Sequence, residues 1–411
     1  MNKTFQYRLY PTKNQRTRLN KWLDLCCETY NAALRERREA YRVAGISIGY
    51  AHQCAELPAC KEVRPELAEV NSQVLQDVLK RVDRAFDGFF RRVQEGQRPG
   101  YPRFRSRSRY QSLTFKQYQN SFDVHAGKKR KGTLMLSKLG HLKMVMHRPL
   151  TGLPKTATVK RTPTGKWFVS ISVECEPEAD SWPASDAQVG IDVGLKTFAY
   201  LSTGEKIDNP RFFRKEEQAL SRAHRKLSKT HRGTLQREKR RKVVARVHER
   251  VRWRRENFIR QEVVSLIKRY GLIAVEALVV RNMIKNPKLA KSIADAAWSS
   301  FFAQLLSKAE EAGRAVVRVN PAYTSQTCTG CGHRQDMPLS VRVYECPSCG
   351  LVIDRDHNGS INILDEALKA VGRHGHVILE APGAGAVGSR HKSSVFQVLS
   401  SKFVTKAVQP V

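Results

Sequence analysis

Hydrophobic positions recur along this chain with two different periods, and the changes of period divide it into parts. Residues Thr4 to Tyr10 alternate like a short half-buried strand. Thr12 and Gln15 then form a capping box, which predicts a helix start. Leu19, Trp22, Leu23, Cys26, Tyr30 and Leu34 follow at steps of three and four, giving that helix one apolar face. A second helix is predicted from Val74, Val78, Val82, Phe86 and Phe90, with Arg81, Arg84, Arg91 and Arg92 off the stripe on a face that solvation alone would explain. GYPRFRSRSRY (Gly100 to Tyr110) breaks this helix and interleaves arginines with aromatics, a composition suited to phosphate contact and base stacking; a disordered basic linker is its rival.

From Ser112 to Glu176 the period is two, and WFVSISVEC after the Thr164-Gly165 turn is the clearest strand. EPEADSWPASDAQ, acidic and proline-containing, reads as a linker into a second domain. There VGIDVGLKTFAYLSTGEKI predicts a β-meander, followed by a long helical stretch. GLIAVEAL and AVVRVNP predict buried strands, with one amphipathic helix between them carrying Ile293, Ala297, Phe301, Leu305 and Ala309. Strands alternating with helices mark this half as α/β.

Charge changes the picture next. The 411 residues carry 73 Lys and Arg against 38 Asp and Glu, a net +35 that calls for a polyanionic partner. No apolar run is long enough to span a membrane, and MNKTFQYRLYP lacks the apolar core of a secretory signal. From Arg211 to Arg255 there are 18 Lys and Arg against 4 Glu, so like charges crowd at helical spacing. A phosphate backbone alongside would relieve that repulsion. Arg222, Arg225, Lys226, Arg240 and Arg241 here, with Arg103 and Arg105 in the earlier loop, are the candidate nucleic-acid contacts.

Three acids stand out. Asp192 in VGIDVG and Glu276 in IAVEAL interrupt apolar strands, where a carboxylate needs a hydrogen-bonding partner or a metal. Together they could hold divalent cations against a phosphodiester, and Mg²⁺ suits such oxygen ligands. VIDRDHNGSINIL supplies a third acid, Asp354 or Asp356, near a predicted helix start, where capping alone would also account for it. Cys328/Cys331 and Cys346/Cys349 form two CxxC pairs, each followed by glycine. Four thiolates fill a tetrahedral zinc, so the predicted zinc is structural. The other five cysteines show no disulfide framework, and His52, Cys54 and Cys60 lack knuckle spacing.

In order and spacing, RLYP, FF…GYPRF, GIDVGLKTFA, VEAL, SIADAAW, SQTCTGCG, YECPSCG and DRDHN resemble the TnpB family, insertion-sequence-encoded RNA-guided nucleases related to compact type V CRISPR effectors. The resemblance implies a multidomain α/β chain. A β-barrel-like wedge domain (1–11 and 112–178) would be interrupted by a helical recognition lobe (12–111). After a linker (179–187), an RNase H-like RuvC nuclease domain (188–325 and 352–374) would carry the zinc ribbon as an insertion (326–351), ahead of a basic mobile tail (375–411). It further implies catalytic Asp192, Glu276 and Asp356 binding two Mg²⁺ ions, Arg342 near the scissile phosphate, a guide RNA and a double-stranded DNA target. Such a protein would work in a prokaryotic cytoplasm, on the nucleoid when bound to DNA. A strand-transferring transposase and a non-cleaving nucleic-acid-binding regulator are the other readings.

Overall fold

The computed structural model describes residues 2–176, 182–338 and 340–374. The expected linker lies partly, and the expected tail after Gly375 wholly, outside the described residues. Two compact units divide the chain, Met1–Glu176 and Pro177–Val411.

In the first unit, strand β1 (Asn2–Tyr10) leads into helix α1 (Lys13–Ala44) through the expected capping box: Thr12 accepts from the Gln15 amide and Gln15 reaches back to the Thr12 amide. The predicted stripe of α1 is buried. Short helices α2 (Tyr50–Ala55) and α3 (Leu57–Val63) and a single 3-10 turn (Pro65–Glu69) lead to α4 (Ser72–Gln94). Its stripe is buried from Val74 to Val82, but Phe90 at the far end stands 55% exposed, so the periodicity outruns the core. Strands β2 (Ser112–Phe115), β3 (Phe122–Ala126), β4 (Lys131–Leu136), β5 (Gly140–Val145), β6 (Leu153–Arg161) and β7 (Trp167–Glu174) join β1 in an antiparallel sheet of order β2-β6-β7-β1-β5-β4-β3. β1 lies between β7 and β5, so the first residues of the chain pair with its later strands and the helices form an excursion between them. β2 and β3 end the order without pairing to each other; hydrogen bonding leaves the sheet open where a barrel-like closure was expected.

Arg81 departs from the expected solvated face. Its guanidinium donates to Asp77 at 2.8 Å, to Ser112 O at 3.0 Å and to Thr114 Oγ1 at 2.9 Å, fastening α4 to β2. Asp77 is itself buried, with Lys116 at 3.7 Å as its second cation.

The second unit is built on a five-stranded mixed sheet. β8 (Gln188–Val193), β9 (Thr197–Leu201) and β10 (Lys206–Asp208) form the predicted antiparallel meander. Helices α5 (Phe212–Ser228) and α6 (Leu235–Arg269) follow, then β11 (Leu272–Glu276) beside β8 and parallel to it. The expected long helical stretch is thus a hairpin, broken at a turn that includes Gly233 at φ +86°. After α7 (Val280–Met283), the next amphipathic stretch is also two helices, α8 (Ala290–Ala296) and α9 (Trp298–Ala312). They meet at Ala297, whose φ of +55° is left-handed; the apolar spacing ran on through a backbone break that no glycine announced. β12 (Ala315–Val319) completes the order β10-β9-β8-β11-β12, parallel to β11. A hairpin of β13 (Val343–Glu345) and β14 (Val352–Asp354) precedes the final helix, α10 (Arg355–His374).

Alternation assigns the sheet's two faces. Val189, Ile191 and Val193 of β8, with Ile273 and Val275 of β11, pack with Ile259, Val263, Phe301 and Leu305 of α6 and α9. Leu272 and Ala274 of β11 pack on the opposite face with Ile363 and Ala367 of α10. Asp192 and Glu276 share the parity of that second face.

Asp77→Ala would leave Arg81 without its buried partner. The expected loss is about 3 kcal/mol in the stability of the first unit, read from its denaturant midpoint, whereas an exposed pair such as Lys21–Glu69 would cost well under about 1 kcal/mol.

Candidate functional site

Asp192 is the fifth residue of β8, and Glu276 is the last of β11. The parallel register pairs Ile191 with Val275, so the next row sets Asp192 beside Glu276 on strands about 4.8 Å apart. Asp356 comes from the first turn of α10. A Cβ added at Gly194, just past β8, would lie 3.9 Å from Asp356 Oδ2, and one at Gly359 would lie 3.2 Å from Asp192 Oδ2. The start of α10 therefore sits over the end of β8, with all three acids at one end of the sheet. Asp354 has a different position: its carboxylate accepts from the Asp356 amide at 2.9 Å and takes Lys206 at 3.4 Å. Arg342 Nη1 stands 3.5 Å from Asp356 Oδ2 on a half-exposed side chain.

The electrostatics of this cluster are adverse. Asp192 keeps an opening to solvent, yet protein crowds the rest of its surroundings. Burial above all, then the charges of Glu276 and Asp356, push its pKa well above the usual carboxylate range, against the pull of Arg355. Glu276 is also raised by burial, with relief from the Thr324 hydroxyl, which donates at 2.7 Å. Carboxylates that repel in this way are suited to hard divalent cations, whose charge reverses the penalty.

The four cysteines converge. Cys328 Sγ lies 3.6 Å from Cys349 Sγ and Cys331 Sγ lies 3.5 Å from Cys346 Sγ, with all four within 4.8 Å. Zn–S bonds of about 2.3 Å in a tetrahedron require sulfurs about 3.8 Å apart, so the set fits a zinc ribbon. Gly332 and Gly350, at φ +76° and +73°, make the two turns expected of them, donating to Cys328 O and Cys346 O. Although burial opposes ionisation of Cys346, the amides of Cys349 and Ser348 draw its pKa down, while the neighbouring thiols push that of Cys349 up, so one thiol ionises at the expense of another until a metal replaces the protons. His52 does not meet Cys54 and Cys60 as ligands; it lies instead with Glu36 and Glu56, where Gln53 already holds Glu36 at 2.6 Å.

The candidate nucleic-acid contacts separate into two kinds. Arg222, Arg225, Lys226 and Arg241 are exposed on the α5–α6 hairpin, Arg240 is half-exposed there, and none has an ion-pair partner among the described residues. Arg222 and Arg225 line a shallow groove with Glu217, Gln218 and Ser221. Other cations of the hairpin are neutralised internally: buried Glu216 takes Arg250 and Arg254, and Asp295 takes Arg255. In the earlier loop Arg103 is exposed, while Arg105 lies over the Tyr30 ring at 4.8 Å with its amide and carbonyl both held by Asn31. That hold makes the loop an ordered structure, against the disordered-linker reading.

Sequence reasoning did not find Thr324 or the roles of Asn358 and Asn362, whose side chains bind the backbone between Thr324 and Thr329. Nor did it find Tyr200, which stacks on His357 at 5.1 Å. The signal available was DRDHN itself: a polar run whose length exceeds what one helix cap uses.

Three family models match the chain. They are described as a Cas12f1-like TNB domain over residues 298–363, a probable transposase over 170–287 and a helix-turn-helix domain over 1–45. In this chain residues 1–45 contain β1 and the uninterrupted α1, with no second helix. A putative RNA-guided DNA endonuclease of Streptomyces pristinaespiralis is 37% identical over 377 residues, covering 90% of each chain. The putative RNA-guided DNA endonuclease InsQ of Escherichia coli (strain K12) is 28% identical over 378 residues, covering 88% of this chain and 91% of that one. Among solved structures, CasPhi-2 (Cas12j) bound to crRNA aligns with 90% of this chain and 98% of its own at 11% identity and a TM-score of 0.47.

Two outcomes follow from these centres. The purified chain should carry one zinc, and Cys346→Ser should lower that content to near zero by elemental analysis. Because Asp192 and Glu276 hold protons more tightly folded than unfolded, their contribution to stability is present at acid pH and lost as pH rises above about 4 toward their folded values. In zinc-loaded protein without other divalent cations, Tm should therefore fall as pH rises from about 4. Asp192→Asn should flatten that fall and raise Tm at pH 8.

Proposed function

We propose that this chain, which belongs to the TnpB/IS605 family, is an RNA-guided DNA endonuclease that hydrolyses target DNA beside a short flanking motif. The observation that carries the reading is the meeting of three acids from β8, β11 and α10 at one end of a mixed sheet. An antiparallel meander followed by two parallel strands, with helices on both faces, supports a RuvC-like nuclease domain over 188–325 and 352–374, interrupted by the ribbon at 326–351.

In this reading Asp192, Glu276 and Asp356 would hold two Mg²⁺ ions. When bound, the metals supply Lewis-acid stabilisation of the phosphodiester and lower the pKa of the attacking water. Thr324 fixes the rotamer of Glu276 by its hydroxyl. Asp354 holds the first turn of α10 so that Asp356 is presented toward the strand ends. Arg342, beside Asp356 and free to swing outward, meets the scissile phosphate. Hydrolysis leaves a 5′-phosphate and a 3′-hydroxyl.

The unpaired cations of the α5–α6 hairpin follow a phosphate backbone. The sheet of the first unit acts as the wedge domain and its helices as the recognition lobe, gripping the RNA scaffold and reading the flanking motif. The guide RNA and the double-stranded target are the polyanions that offset the net +35. Activity belongs to the cytoplasm, on the nucleoid.

Purified with its co-expressed RNA, the protein should cut matched double-stranded DNA only when Mg²⁺ is present. Asp192→Ala should reduce cutting to background while RNA binding persists. Joined donor–target molecules in place of linear breaks would establish strand transfer instead, and salt-sensitive binding with no cutting would establish a regulator.

A further inference from the structure

Helix α10 carries two asparagines one turn apart, and both reach out to the backbone of a different segment. Asn358 is fully buried; its Oδ1 accepts from the Thr329 amide at 3.0 Å and its Nδ2 donates to Thr327 O at 2.7 Å. Asn362 donates to Thr324 O at 2.8 Å and to Thr327 O at 2.7 Å. Helix capping accounts for neither, because their polar atoms serve the chain between Thr324 and Thr329. Only one orientation of the Asn358 amide can satisfy both an N–H and a carbonyl, so the side chain is locked against rotation.

The segment held in this way connects both metal centres. At one end the Thr324 hydroxyl holds Glu276 at 2.7 Å, and near the other Cys328 is a buried member of the four-thiol set. Gly359, next to Asn358, faces Asp192, and Asp356 lies two residues before Asn358 on the same helix. The ribbon's second side is tied to the same helix: Arg355 donates to Pro338 O at 3.0 Å and its amide donates to Arg342 O at 2.8 Å. A loosened ribbon would free the segment that orients Glu276 and the turn that presents Asp356.

We propose that Asn358, supported by Asn362, is a positioning residue that couples the zinc ribbon to the acid site. The metal state of the ribbon thereby sets how tightly Asp192, Glu276 and Asp356 bind divalent cations. This inference rests on the reading of those acids as a metal site. Residues that orient ligands from behind typically alter metal affinity by about ten- to a hundredfold when removed.

The test measures Mn²⁺ binding to the full-length protein by electron paramagnetic resonance, with zinc content determined on the same samples. Asn358→Ala should keep one zinc per chain and weaken Mn²⁺ binding by about tenfold or more, and Asn362→Ala should weaken it less. Stripping zinc from the unaltered protein with a mercurial should produce a similar loss, while Asn358→Ala should respond little to the same treatment. Unchanged Mn²⁺ affinity in zinc-loaded Asn358→Ala, or in zinc-stripped unaltered protein, overturns the coupling. If Asn358→Ala does not fold, Asn362→Ala is judged by the same criterion. A loss of Mn²⁺ binding in Asp192→Ala shows the acids to be the metal site, so the coupling can then fail alone. Mn²⁺ binding that survives Asp192→Ala overturns the metal-site reading, and the coupling with it.

Discussion

Between Gly190 of β8 and Ser360 of α10 there is no room for a side chain. A Cβ at residue 190 would come within 2.0 Å of Ser360 O and 2.8 Å of the Leu364 amide nitrogen. Gly359, one residue earlier on the helix, continues the same close approach toward Asp192. This contact fixes how near the last helix can lie to the sheet, and therefore how near Asp356 can come to Asp192. Substitution at Gly190 would press a side chain against backbone, which interiors packed to crystal density accommodate poorly, whereas one at Gly359 would crowd the Asp192 carboxylate. The electrostatic cost at Asp192 follows from the same approach, since the helix that delivers a second negative charge also removes water. On the proposed reading of these acids as a metal site, the stability lost there is the counterpart of their readiness for cations.

The hairpin of α5 and α6 resolves a conflict that the charge count alone cannot. Two helices dense in arginine can pack only if the cations between them are neutralised. Glu216 and Asp295 do this from nearly buried positions. The arginines they hold set the pairing of α5, α6 and α8, while Arg222, Arg225, Lys226, Arg240 and Arg241 have no ion-pair partner among the described residues. Net charge is therefore a poor guide to which residues meet a polyanion. Arg81 and Arg105 teach the same lesson in the first unit, where one fastens a helix to a strand and the other lies on Tyr30.

Local physics made much of the fold legible. The Thr12–Gln15 capping box, the buried stripe of α1, the meander from Gln188 to Asp208 and the cysteine knuckles each depend on spacing within a short window. What escaped depends on contacts between distant segments. Nothing near Ala297 signals a left-handed residue, and nothing near Phe90 shows that the core ends before it. The acids were conspicuous because they broke apolar strands, but their company was not: Thr324 reaches Glu276 across 48 positions of sequence. Asn358 does not stand out in the sequence, because asparagines near helix starts are usually caps.

The place of α10 as the last element among the described residues also bears on how the protein is made. Until that helix emerges from the ribosome, the sheet face bearing Leu272, Ala274, Val317 and Val319 has no cover. The nascent unit must wait, partly collapsed, with its parallel strands exposed to wrong partners. On the assignment proposed above, it also waits without its third acid. A chain broken off before residue 355 would be both sticky and harmless, marked for disposal by its bare sheet and unable to damage the genome of the cell that made it.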